Sequence, residues 1–224
     1  MSSAPTSAGN ASRDALWVVQ EGGSGAALAF VLAGYGDAWV ATGLARSLGA
    51  AHTVYGLQPP RGMPPGQLPA RELAALYVSR LLEKQPQGPY CLSGYSAGAV
   101  IALEIAQQLR ASGASVRTVA LLDPLFFRYT RFELRCYQLL QRVCRSIKPL
   151  LPERWRLMKI LEAMFQDQGL DVHLAALDGY EPQPYDGELV LYQSHWTISR
   201  SPLLVSKWKR IATRGLKIDR KSVV

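Results

Sequence analysis

One stretch constrains the fold more than any other: the strand-length apolar run PYCLSG passes through Gly94-Tyr95-Ser96-Ala97-Gly98 straight into AGAVIALEIAQQLRASG, a helical pattern that ends at Gly113. A strand that becomes a helix within a few residues packs that helix back over the sheet it has left, and the following strand then runs parallel to the first. VRTVALLD (116–123) is that following strand. The same alternation runs through the first half of the chain. LWVVQ (16–20), ALAFVLA (27–33) and HTVYGL (52–57) are strand-length, while AWVATGLARSL (38–48) and ARELAALYVSRLLEK (70–84) have helical spacing, the latter through Leu73, Leu76, Tyr77 and Leu81. QPPRGMPPGQLP (58–69) holds too many prolines and glycines for regular structure and is a loop. The order predicts an α/β fold with a mostly parallel sheet and helices on both of its faces.

The alternation then stops. From about Phe126 to Tyr180 the pattern is helical with no strand in it, until ELVLYQS (188–194) and GLKIDR (215–220) resume the sheet. A helical excursion between two sheet strands is expected to be an insertion above one end of the sheet, a lid at about 126–180. Residues 1–15, MSSAPTSAGNASRDA, read as a flexible tail, and they lack the basic start and apolar core of a secretory signal. The domain then occupies 16–224.

At 224 residues and 48% hydrophobic, the chain has enough apolar side chains for one globular core, and no apolar run approaches the roughly eighteen residues of a membrane span. Cys91, Cys136 and Cys144 form no CxxC pair, so a reduced, cytoplasmic setting is expected. The net charge of +8 is uneven: 126–165 carries +6 and 200–224 carries +7, leaving −5 for the remainder. Two basic segments on an acidic body suggest an acidic partner that docks at particular places, although a solvated basic face explains them equally well. No zinc-ligand spacing, RNP-type aromatic motif or helix-turn-helix signature points to nucleic acid, and no metal ligand set is expected.

The chemistry is expected at Ser96. In a G-x-S-x-G turn between strand and helix, the serine occupies a sharp bend that exposes its hydroxyl, and side chains at the two glycine positions would collide across the bend. The helix that begins at Ala97 offers free backbone N–H groups and the positive end of its dipole to a developing oxyanion. A nucleophilic serine needs a base and the base an orienting carboxylate. Asp123, at the end of the next strand, is the candidate carboxylate, because adjacent strand ends lie on one rim. Asp178 and Asp186 read as turn residues, Tyr180, Tyr185 and Trp196 as packing more than channel lining, and Cys91 as a small core hydrophobe.

With these residues in place, GPYCLSGYSAGAVIALEIAQQLRASGASVRTVALLDP resembles the core of the type I thioesterase domains that end non-ribosomal peptide and polyketide synthases. AFVLAGYGDAWVATGLARSL, YGLQPP and GYEPQPYDGELVLYQS are similar to that family as well, and the separation of 27 residues from Ser96 to Asp123 matches its spacing. The resemblance implies an α/β-hydrolase fold in which an acyl chain passes from the phosphopantetheine arm of an acyl or peptidyl carrier protein to Ser96, with no other cofactor. It further implies that Ala97 and either Leu32 or Ala33 supply the oxyanion-hole N–H groups. Gly34, Tyr35 and Tyr95 would face substrate, Gly34 and Gly36 letting the backbone approach it.

The family also carries a histidine in a loop after the last strand, and here the sequence stops at Val224 without one. His52 opens an early strand, His173 falls in the expected lid, and His195 follows ELVLYQS. The chain is therefore expected to lack its C-terminal histidine loop and helix, or to have a divergent ending, or to use another base, for which His195 at a rim-side strand end is the alternative. Three functions remain open: release of a carrier-bound acyl, peptidyl or polyketide chain by hydrolysis or macrocyclisation; a stand-alone editing thioesterase or carboxylester hydrolase; and a carrier-binding module impaired by loss of its base.

Overall fold

The computed structural model describes residues 15–23, 26–34, 38–124, 168–193 and 202–219. Most of the expected lid (125–167), the segment with His195 (194–201) and the last residues (220–224) lie outside them. The strands are β1 Leu16–Gln20, β2 Leu28–Val31, β3 Val54–Leu57, β4 Tyr90–Tyr95, β5 Val116–Leu122, β6 Leu189–Tyr192 and β7 Leu216–Asp219. Among the described residues the helices are α1 Ala38–Leu48, α2 Ala70–Lys84, α3 Ala97–Ala111, α4 Gln168–Ala176 and α5 Pro202–Ile211. The sheet order is β1-β3-β2-β4-β5-β6-β7, parallel throughout except that β1 pairs antiparallel with β3.

The alternation of side chains along β2 builds both faces. Ala29 and Val31 enter a large core with α2, α3 and α4, whereas Phe30 and Leu32 pack with Ala41 of α1 on the other side. A central parallel strand buried on both faces has to be apolar at every position, which is why LAFVL reads as a continuous run. In α1, Ala41 and Ala45 are the buried pair, four residues apart on one helix face. In α2 the buried residues Ala70, Leu73, Ala74, Tyr77 and Leu81 form one stripe, and Pro69 precedes the first turn where its missing N–H costs no helical bond. Helix α3 is buried from Ala97 through Ala106, so its two faces meet the sheet and the neighbouring helices at once.

Of the expected lid only residues 168–180 are described, and there Val172, Ala176 and Tyr180 sit in the same core as α2 and α3. Tyr180 donates its hydroxyl hydrogen to the buried Glu104 carboxylate of α3, which Gln108 also bonds. Burial and that carboxylate both push the Tyr180 phenol well above its ordinary pKa. Cys91 is half-buried rather than fully enclosed, and its thiol is pushed up by desolvation, with Arg117 acting in the opposite direction. Asp186 is a turn residue as expected, held at 2.6 and 3.0 Å by the Arg214 guanidinium. Tyr185 is buried under Arg110 as packing.

Candidate active site

In a parallel sheet every strand delivers its C-terminal end to the same edge. The register here aligns Tyr95 with Leu122, Leu122 with Tyr192 and Tyr192 with Asp219. One residue further along β4 and β5 lie Ser96 and Asp123. The Ser96 N–H donates to the Leu122 carbonyl at 3.0 Å, which belongs to the very peptide that leads into Asp123, and the Asp123 N–H donates to Tyr192 at 2.9 Å. Ser96 and Asp123 are thus neighbours on one rim, both half-buried.

Ser96 has φ 55° and ψ −117°, a left-handed conformation that L-residues avoid, and its hydroxyl makes no capping bond to α3. The surroundings force the conformation. A Cβ on Gly94 would lie 2.6 Å from the Gly98 carbonyl carbon and 2.7 Å from the Ala99 nitrogen; one on Gly98 would lie 2.5 Å from the Val31 oxygen and 2.7 Å from that of Leu32. The strand, the helix and β2 therefore meet closer than any side chain allows. Asp123 also has positive φ, at 41°, which a short polar side chain tolerates better than most. Ser96 thus lies one residue before the first turn of α3, whose N–H groups have no intrahelical acceptor, with Asp123 at the end of the neighbouring strand.

Ala97, the first residue of α3, is fully buried. Of the two positions expected for the second N–H donor, Leu32 donates its N–H to the Leu57 carbonyl at 3.0 Å, extending the sheet by one bond. Ala33 follows it, 3% exposed, and Gly34 is buried beside it. Tyr95 is half-buried against the Phe30, Leu32 and Ala41 cluster, so part of its ring serves packing. Tyr35 and His195 lie outside the described residues.

The other two histidines are occupied. His52 bonds the Ala26 carbonyl at 3.0 Å at the opposite end of the strands. His173 is fully buried; its Nδ1 lies 2.8 Å from the Ala33 carbonyl and its Nε2 3.0 Å from the Tyr77 hydroxyl. Spacing alone placed His173 in the lid, and the only available signal was a lone histidine beside Val172 on the apolar side of a short helix. A hollow of about 620 Å³ lined by Arg71, Glu104, Gln107, Arg110, Tyr185 and Asp186 lies along the far half of α3 and shares no residue with the rim.

Residues 28–133 match the model of the thioesterase domain family. The chain is 42% identical over 105 residues to vanchrobactin synthetase VabF of Vibrio anguillarum, a match covering 45% of this chain and 4% of that protein. It is 42% identical over 90 residues to enterobactin synthase component F of Escherichia coli K12, covering 39% and 7% respectively. The chain therefore spans only a small part of these relatives. Among solved structures, the thioesterase domain of NocB from the nocardicin cluster superposes with a TM-score of 0.68 at 23% identity, covering 93% of this chain and 89% of that one. RedJ, a thioesterase of prodiginine biosynthesis in Streptomyces coelicolor, gives 0.64 at 22% identity, covering 87% and 76%. Residues 28–133 are thus similar in sequence to a thioesterase domain, and the described residues share the mostly parallel α/β fold of these solved thioesterase structures.

Proposed function

We propose that this chain releases an acyl, peptidyl or polyketide chain from the phosphopantetheine arm of a carrier protein through an acyl-serine on Ser96. The observation that carries the reading is the conformation of Ser96: a strained, uncapped serine at a strand end, with Asp123 on the adjoining strand end and the start of α3 behind it. Such strain persists only where the surrounding structure imposes it, and here two glycines and three backbone segments do so.

In the proposed reaction Ser96 Oγ attacks the thioester carbonyl while a base takes its proton. The carbonyl oxygen becomes an oxyanion that accepts from the N–H groups of Ala97 and Ala33. The C–S bond then breaks and the carrier thiolate leaves with the proton. In the second half a water or an internal hydroxyl or amine attacks the ester, freeing the product and restoring Ser96. Asp123 orients the base and stabilises its cationic form. His195, which follows β6 in the sequence, is the alternative base in this reading; β6 itself pairs with β5 and ends on the rim. The basic segments at 126–165 and 200–224 suit an acidic carrier, drawn in by long-range attraction.

The test is labelling by a fluorophosphonate and turnover of an acyl-N-acetylcysteamine thioester. Both are expected for the parent chain, and neither for Ser96→Ala. No labelling of a folded sample would identify a carrier-binding module instead. p-Nitrophenyl esters cleaved much faster than thioesters would identify a carboxylester hydrolase. His195→Ala abolishes turnover if His195 is the base; unchanged turnover assigns that role to another group.

A further inference from the structure

We infer that His173 is a positioning residue for the oxyanion hole, holding the Ala33 backbone in place through its carbonyl. The inference rests on the acyl-serine reading, in which the Ala33 N–H receives the oxyanion. Residue 33 has left the sheet, so sheet hydrogen bonds no longer fix it. It is bracketed instead. On one side the Leu32 N–H is tied to Leu57 at 3.0 Å, and on the other the Ala33 carbonyl is tied to His173 at 2.8 Å. With both flanking peptides anchored, the direction of the intervening N–H is set.

A carbonyl oxygen only accepts, so Nδ1 carries the hydrogen, and in the neutral ring Nε2 accepts from the Tyr77 hydroxyl. The Tyr77 ring also meets the imidazole edge-on, with centroids 6.0 Å apart. Tyr77 comes from the buried stripe of α2 and His173 from α4, both fully enclosed, so the bond to Ala33 forms away from competing water. Three segments distant in sequence, 33, 77 and 173, thereby converge behind the rim. A buried histidine that uses one nitrogen to fix a backbone carbonyl and the other to anchor itself is arranged to orient, as outer groups orient the parts of a site that touch substrate.

The experiment compares His173→Phe, which keeps the ring volume and removes the donor, with His173→Asn, whose amide nitrogen falls near the Nδ1 position. With the acyl-N-acetylcysteamine thioester, His173→Phe is expected to lower kcat about 10- to 100-fold with KM changed less than about twofold, short of the full loss of one oxyanion donor. His173→Asn is expected to regain most of that loss. Affinity for an alkyl boronic acid, whose adduct on serine is tetrahedral and anionic, should fall in parallel with kcat. Amide exchange of the peptide containing Ala33 should quicken in His173→Phe and recover in His173→Asn, a readout that needs no activity. A folded His173→Phe with parental kcat, equal impairment of the Phe and Asn variants, or unchanged exchange at Ala33 would each overturn the inference. Should the parent fail to acylate while the exchange pattern holds, the acyl-serine reading falls and the backbone tie stands.

Discussion

Replacing Ser96 by glycine should make the protein more stable while leaving it inactive. At φ 55° and ψ −117° the serine occupies a conformation that costs an L-residue on the order of 1–3 kcal/mol. Glycine adopts it freely, but its unfolded chain has more freedom, which offsets about 0.5–1 kcal/mol of the relief. Alanine removes the hydroxyl and keeps the Cβ, so it removes activity and retains the strain. The difference between the two variants is therefore expected to centre on about 1 kcal/mol in favour of Ser96→Gly, or roughly 2–4 °C in Tm for a domain of this size. Comparing Ser96→Gly with Ser96→Ala cancels the loss of the hydroxyl and leaves only the backbone effect. Calorimetry or thermal circular dichroism on the two variants reads it directly. If they melt together, the bend is not strained and the argument that the fold forces Ser96 into this conformation is refuted.

Three further outcomes follow from the same geometry. Gly98→Ala pushes a methyl group against the Val31 and Leu32 carbonyls and should cost about 1–3 kcal/mol by denaturant unfolding, with activity falling as α3 is displaced from β2. If Asp123 orients the base as proposed, Asp123→Asn should lower the acylation rate by as much as about 10⁴; a loss below tenfold would remove Asp123 from that role. Tyr180→Phe deprives the buried Glu104 carboxylate of its hydroxyl donor and should destabilise by about 1–3 kcal/mol, read as a shifted denaturant midpoint at constant slope.

Much of the layout was legible because local signals coincide with what packing rewards. Helices 38–48 and 70–84 match their apolar spacing residue for residue, and the strand ends follow from the G-x-S-x-G turn and from Asp123-Pro124. Pairing was less legible. That β1 lies antiparallel at the edge beside β3 depends on a contact between residues about forty apart, to which the alternation within LWVVQ is blind. Helix α5 was hidden inside what reads as a basic run: Lys207, Lys209 and Arg210 dominate the composition, yet Val205 and Trp208, three residues apart, are buried. Where β2 stops hydrogen-bonding to β3, at the Leu32 N–H, is a one-residue matter that an apolar run ALAFVLA cannot express. No pattern within LDVHLAAL indicates that the His173 ring reaches a carbonyl 140 residues earlier.

The most direct measurement is intact-protein mass spectrometry after brief exposure to an acyl-pantetheine thioester, followed by peptide mapping. The expected result is a single acyl adduct on the peptide that contains Ser96, absent from Ser96→Ala. An adduct on another residue, or thiol release from the thioester with Ser96→Ala as fast as with the parent chain, would contradict the account.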